Sequence, residues 1–214
     1  MTVTINGTSG VTFPAGGLGN PASAVVGLTD TQTLTNKMLT SPTISSPTIS
    51  GTPTGVGVLT SGTAVATTSG TSVTFSSIPS WVQRITLSFA GVSLSASSVP
   101  LLQIGDSSAI KITGYLGSSS AQAGATTNLT TGFLAVAPSL GTAGRLWQGT
   151  VTLTLLDLAT NKWVATSKSG TSNSADGSEM GGYNTLTTAL TQLKFTTVSG
   201  TDTFTAGAVN ILYE

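Results

Sequence analysis

The sequence predicts an all-β protein: an N-terminal extended repeat segment forming a trimeric shaft, followed by an antiparallel β-sandwich head of jelly-roll-like topology. Three observations lead there. Apolar and polar residues alternate with the strand period of two through most of the second part of the chain. Thr, Ser and Gly, not charged residues, occupy the polar positions, and Thr in particular packs well on a pleated sheet. The segment "LTDTQTLTNKMLTSPTISSPTISG", Leu28 to Gly51, repeats SPTIS at once, with a spacing that suits neither a helix nor a strand.

At the N-terminus, Val3 and Ile5, then Val11 and Phe13, alternate with polar residues in "VTI" and "VTF" around "NGTSG". This predicts two very short strands about a turn, with Asn6-Gly7 supplying backbone at ease at positive φ. "PAGGLGNPAS" is rich in Gly and Pro and reads as loop. In the repeat, Pro42 and Pro47 would break a helix and can donate no ladder hydrogen bond, so the segment is extended. Its apolar residues Leu34, Leu39, Ile44 and Ile49 recur every five residues, as in a chain that kinks once per repeat and turns one apolar residue inward each time. One chain buries too little this way to offset the ~1–2 kcal/mol of backbone entropy that ordering each residue costs. Three chains about a common axis bury these side chains against one another, as stacked repeats do. The alternative is a disordered Ser/Thr/Pro linker.

The join falls near "GVLTSGTAVATTSG", which sets residues 1–27 and 28–62 apart from a head of residues 63–214. In the head, "TSVTFSSI" leads through Pro79 into "VQRITLSFAGV", where Ile85, Leu87 and Phe89 alternate with Arg84, Thr86 and Ser88. "PLLQIGD" and "AIKITGYLG" read as the next strands, the latter with Ile110 and Ile112 on one side. "FLAVA" and "LWQGTVTLTLLDL" follow; in the second, Trp147, Val151, Leu153 and Leu155 share a face against Gln148, Thr150, Thr152 and Thr154. "NKWVATSKSG" is a further short strand, and "SADGSEMGGYNTLTTAL" has room for one helical turn, which its glycines disfavour. "LKFTTVSGTDTFTAGAVNILY" predicts a terminal hairpin about "SGTD". Many short strands between turn signals give the sandwich; their order is not readable from spacing.

Composition narrows the function. Of 214 residues, seven are Lys or Arg and seven Asp or Glu, with no block of either sign, so there is no basic face to neutralise phosphates and nucleic acid is not an expected partner. The absence of Cys removes disulfides and thiolate metal sites, and that of His removes the commonest general base and metal ligand. "AVVGL" and "GVGVL" fall far short of the ~20 residues of a membrane span. "MTVTINGTSG" lacks the charged start and apolar stretch of a signal peptide. Neither cofactor nor membrane insertion is expected.

"TDTQTLTNKMLTSPTISSPTISG" resembles the shaft-type repeat of tailed-bacteriophage fibre proteins. "TINGTSGVTFPAGG" resembles other segments of that class, and "IPSWVQRITLSFAGVS", "LLQIGD", "GYLGSSS" and the terminal "FTAGAVNILYE" resemble the tip domain often found on them. The resemblance implies a homotrimeric virion fibre on the tail or capsid exterior, made in the host cytoplasm. Residues 1–27 would anchor it to other virion proteins, and the head would contact a host surface glycan or protein. So little shaft equally suits a head fibre or a capsid decoration.

Candidate chemistry is sparse. Asp176 and Glu179, in "SADGSEMGG", are the one close pair of carboxylates, and a polysaccharide depolymerase would need such a pair held at a fixed separation. A Gly-rich loop is a poor place to hold it, and solvated loop residues are the expectation. "DGSE" supplies too few ligands for calcium. Aromatic rings hold sugars by their faces. Trp147 shares a face with Val151 and Leu153 and Trp81 has the parity of Ile85, so both are expected to pack inward. Tyr115 and Tyr183, beside polar loops, are the candidates for receptor contact.

Overall fold

The alternating pattern forms strands almost throughout. The computed structural model describes residues 4–6, 10–12, 43, 59–122 and 124–214, and the chain divides into two units, Met1–Gly51 and Thr52–Glu214. Leu34, Leu39, Ile44 and Ile49 lie outside the described residues. In the first unit, β1 (Thr4–Asn6) pairs antiparallel with β2 (Gly10–Thr12), Ile5 opposite Val11. These are the two short strands expected there.

The second unit carries β3 (Thr60–Ser61), β4 (Val65–Ala66), β5 (Ser72–Phe75), β6 (Arg84–Leu94), β7 (Pro100–Gly105), β8 (Leu116–Ala121) and β9 (Thr126–Asn128). It continues with β10 (Phe133–Leu134), a single 3-10 turn at Pro138–Leu140, β11 (Trp147–Asp157), β12 (Lys162–Thr171), β13 (Gly177–Thr185), β14 (Gln192–Thr197) and β15 (Phe204–Tyr213). A smaller sheet runs β10-β7-β14-β5. A larger one runs β3-β15-β6-β11-β12-β13-β8-β9, with β4 also on β15. Every strand pair is antiparallel. β3 brings Thr60 opposite Tyr213, so the large sheet takes in residues just ahead of the boundary read from the sequence.

The two sheets face each other through aromatics. Phe195 of the small sheet meets Phe89 and Phe204 of the large one at ring-centroid distances of 5.7 and 5.6 Å. Ile85, Leu87, Val151, Leu153, Trp163, Ala165, Val209 and Ile211 line the inner side of the large sheet, while Leu102, Ile104, Leu193 and Phe195 supply the small one. β7 is buried along its whole length, as befits the run "PLLQIG" in which apolar residues are nearly continuous. The indole N–H groups of the buried Trp147 and Trp163 have no hydrogen-bond partner among the described residues.

Three expectations are corrected, and one segment left open is assigned. β14 and β15 do not form a hairpin: they lie in different sheets, and Val198–Thr203 carries the chain across. Alternation shows that Leu193, Phe195, Val209 and Ile211 face a core, and both strands face the same core from opposite sides. "AIKITGYLG" is not a strand before Leu116. Only Ile110 bridges to Gly105, Lys111 N–H donates to Ile104 O at 2.9 Å, and Ile112 is exposed. In "SADGSEMGGYNTLTTAL", where glycines disfavour the one helical turn there is room for, Gly177–Thr185 is strand β13, which pairs on both sides, with β12 and β8. Trp81 lies 40% exposed in the turn before β6, its ring 6.1 Å from that of Tyr213. As a turn residue it does not follow the parity of the strand.

Candidate functional site

The large sheet buries one side against the core, and the other side carries its polar alternates. Antiparallel register places these in rungs across the strands. One rung runs Ser88, Thr150, Lys168, Glu179 and Ser120, each the partner of the next. Two residues along each strand, the next runs Thr86, Thr152, Thr166, Gly181 and Ser118. A third runs Arg84, Thr154, Val164, Tyr183 and Leu116. A strand rises ~3.3–3.4 Å per residue, so neighbouring rungs stand about 7 Å apart.

Small side chains in the middle rung make a hollow. Its volume is about 570 Å³, within the ~300–1,000 Å³ common for ligand sites, and its lining includes Ser118, Thr150, Thr152, Thr166, Lys168 and Gly181. A second hollow of about 470 Å³ adjoins it and shares Ser120, Lys168 and Glu179. Lys168 and Glu179 face each other across β12 and β13 but form neither of the two ion pairs among the described residues, Arg84–Glu214 and Arg145–Asp176. Both side chains are exposed and belong to the lining of the hollow.

Tyr183 stands on the rung bordering this hollow, 40% exposed, with Lys162 Nζ 5.5 Å from its ring centroid. Tyr115, expected at the surface, is corrected: it is 2% exposed and belongs to the core. Its hydroxyl accepts from Ile104 N–H at 2.9 Å and donates to Lys111 O at 3.0 Å, and its ring meets the edge of Phe133 at 4.8 Å. Burial pushes its pKa above the ordinary tyrosine value, despite the opposing hydrogen bonds from Ile104 and Asn184. Gly114, at φ 81°, turns the chain so that the ring enters the interior while the flanking polar residues stay outside.

Asp176 and Glu179 have separate surroundings. The Asp176 carboxylate accepts from Arg145 at 2.8 Å and from Ser174 Oγ at 2.6 Å, in the loop before β13. Glu179 lies within β13, on the hollow. Trp147 is fully buried, as expected. No group of His, Cys, Asp and Glu among the described residues could hold a metal ion, and no helix there is long and apolar enough to cross a membrane.

Sequence reasoning missed Lys168, Thr166, Gly181 and Ser118. Their signal is the wet half of each strand's alternation, but only the strand order β11-β12-β13-β8 brings these wet halves into one place. Comparison of the chain with protein-family models, with curated proteins and with solved structures finds no match in any of the three.

Proposed function

We propose that the chain is a structural virion protein of a tailed bacteriophage: a homotrimeric fibre, anchored to other virion proteins through residues 1–27, whose head meets the host surface. Adhesion as a tail fibre is the favoured role, and the protein acts without catalysis, cofactor or membrane insertion. The observation that carries this reading is the doubled SPTIS segment, with its five-residue apolar spacing, joined to an all-β head that leaves one face of a large sheet uncovered. Resemblance of the repeat and of the terminal "FTAGAVNILYE" to fibre proteins supports it.

Two features of the head agree. Arg145 and Ser174 engage the Asp176 carboxylate in the loop before β13, apart from Glu179 within that strand, which supports the non-catalytic reading over a paired-carboxylate one. Trp81, Leu116, Leu156 and Leu158 are exposed at one end of the large sheet, where β6 and β8 begin and β11 ends, and the chain enters this sheet at that end, at Leu59. Large apolar side chains left exposed along one end of a sheet are consistent with self-association there.

Mass photometry of the full chain and gold labelling of intact particles test the reading. A trimer and label on the tail are expected, whereas label on the capsid identifies a head fibre or decoration. A folded monomer, or particles without label, refutes the fibre.

A further inference from the structure

Gly181 is a glycine that the fold itself does not require. It is not among the glycines with positive φ, and a Cβ built on it would meet nothing within 4 Å. A glycine within a strand weakens it, through lost entropy and packing, and marks places where a ligand or another backbone comes close. Here the space above Gly181 is the floor of the larger hollow, between the rung of Lys168 and Glu179 and the rung of Tyr183.

The lining specifies what fits. Ser118, Ser120, Thr150, Thr152 and Thr166 offer hydroxyls, each able to donate and accept, and Lys168 and Glu179 add one donor group and one acceptor group of opposite charge. The formal charges cancel, so neither a phosphate chain nor a polycation is favoured. A protein partner would want an apolar centre, and the only large apolar side chain in the lining, Met180, is 4% exposed. Sugar hydroxyls also donate and accept, and a pyranose ring carries a C–H face that suits the part-exposed aromatic side chain of Tyr183 at the border of the hollow. Lys162, seated over Tyr183, helps to fix that ring.

We propose that this hollow binds a neutral glycan, with one pyranose unit over Gly181, bordered by Tyr183, and its hydroxyls on Thr166, Ser118, Lys168 and Glu179. The site rests on the adhesive-fibre reading and gives it a ligand class and a location.

The test is binding of the full-length chain to an array of neutral oligosaccharides of hexose and N-acetylhexosamine units, printed beside sulfated and carboxylated ones. Wild type should bind a subset of the neutral glycans. Gly181→Leu, which fills the floor, and Tyr183→Ala should each weaken that binding about tenfold or more, with thermal unfolding held near the wild-type midpoint. Thr166→Val, which removes one hydroxyl at nearly constant shape, is the second probe should Gly181→Leu fold poorly, and should weaken binding severalfold. Binding to no neutral glycan, binding to the anionic glycans alone, or equal binding by all folded variants overturns the proposal. A trimer located on the particle, with an array that stays blank, refutes the glycan site and leaves the fibre. A folded monomer that binds neutral glycans through Gly181 and Tyr183 refutes the fibre instead.

Discussion

Asp106 shows how a nearly charge-free protein uses one of its few charges. The residue is 3% exposed, and its carboxylate accepts from the backbone N–H groups of Ser108, Ala109 and Thr187 at 2.9, 3.3 and 3.2 Å, which ties the end of β7 to the connection before β14. Burial works to raise its pKa, but the backbone donors from Ser108, Ala109, Thr187 and Thr188 outweigh it and hold the carboxyl below its ordinary value. A carboxyl depressed on folding contributes stability that is complete above its unfolded pKa and is lost as pH falls through the folded one. Thermal melts of wild type should therefore drop as pH falls through and below the ordinary carboxylate range. Asp106→Asn should flatten that drop and cost about 2 kcal/mol near neutrality, because its amide NH₂ confronts a backbone donor. An unchanged acid limb in this variant would refute the assignment. Tyr115→Phe makes a separate case: it leaves Ile104 N–H without an acceptor in the core, so it should cost roughly 1–3 kcal/mol. Binding by the folded Tyr115→Phe protein should stay at the wild-type level, in contrast to Tyr183→Ala.

Strand β6 changes phase halfway, and two glycines permit it. Ile85, Leu87 and Phe89 face the core on odd numbers, but beyond the bulge Val92 and Leu94 face it on even ones. Register slips there on both sides, against β11 and against β15. Gly91 at φ 63° and Gly207 at φ 95° lie against each other, and a Cβ on Gly207 would come within 2.5 Å of Gly91 C and Val92 N. Gly207→Ala should cost about 2–3 kcal/mol, from clash and strain together. Gly91→Ala has its nearest contact at 3.9 Å and should cost about 1 kcal/mol, from backbone strain alone. Gly181→Ala, in open space and with no such strain, should be neutral or gain a few tenths. Urea unfolding of the three variants checks this order, and equal costs would contradict it. The bulge also marks what a sequence can and cannot show. Alternation identifies β6, β11 and β12 and their buried faces, because burial acts on each strand separately. It does not show that β14 and β15 belong to different sheets, or that Thr166 and Ser118 share a hollow, because partner choice is a property of several strands at once. The burial of Tyr115 is hidden for a related reason: polar neighbours describe the loop, whereas Gly114 and the acceptor-seeking N–H of Ile104 decide where the ring goes.

In the molecule as a whole, polarity is unevenly spread over a surface that has few charges to keep copies apart. The hydroxyl-rich hollow occupies the middle of the outer face of the large sheet, while Leu156, at the end of β11, and Leu158, in the connection to β12, are 65% and 64% exposed and project beyond the rung of Tyr183 and Leu116. Burying such residues between copies removes roughly 25 cal/mol per Å² of unfavourable apolar contact with water, and no block of like charge opposes it. If this end of the head assists trimer formation, association is apolar in origin and should persist at about 1 M salt, where exposed ion pairs are screened. Leu156→Lys combined with Leu158→Lys adds two positive charges to each chain, about six around a threefold contact, and should shift the full chain toward monomer at nanomolar to micromolar concentration. Far-UV circular dichroism should not change, because both side chains project into solvent and neither contributes to the core. Mass photometry at low and high salt reads both effects. A trimer that survives the double substitution confines association to the repeat segment, and one that dissociates in salt alone would show that charge, not apolar burial, holds it.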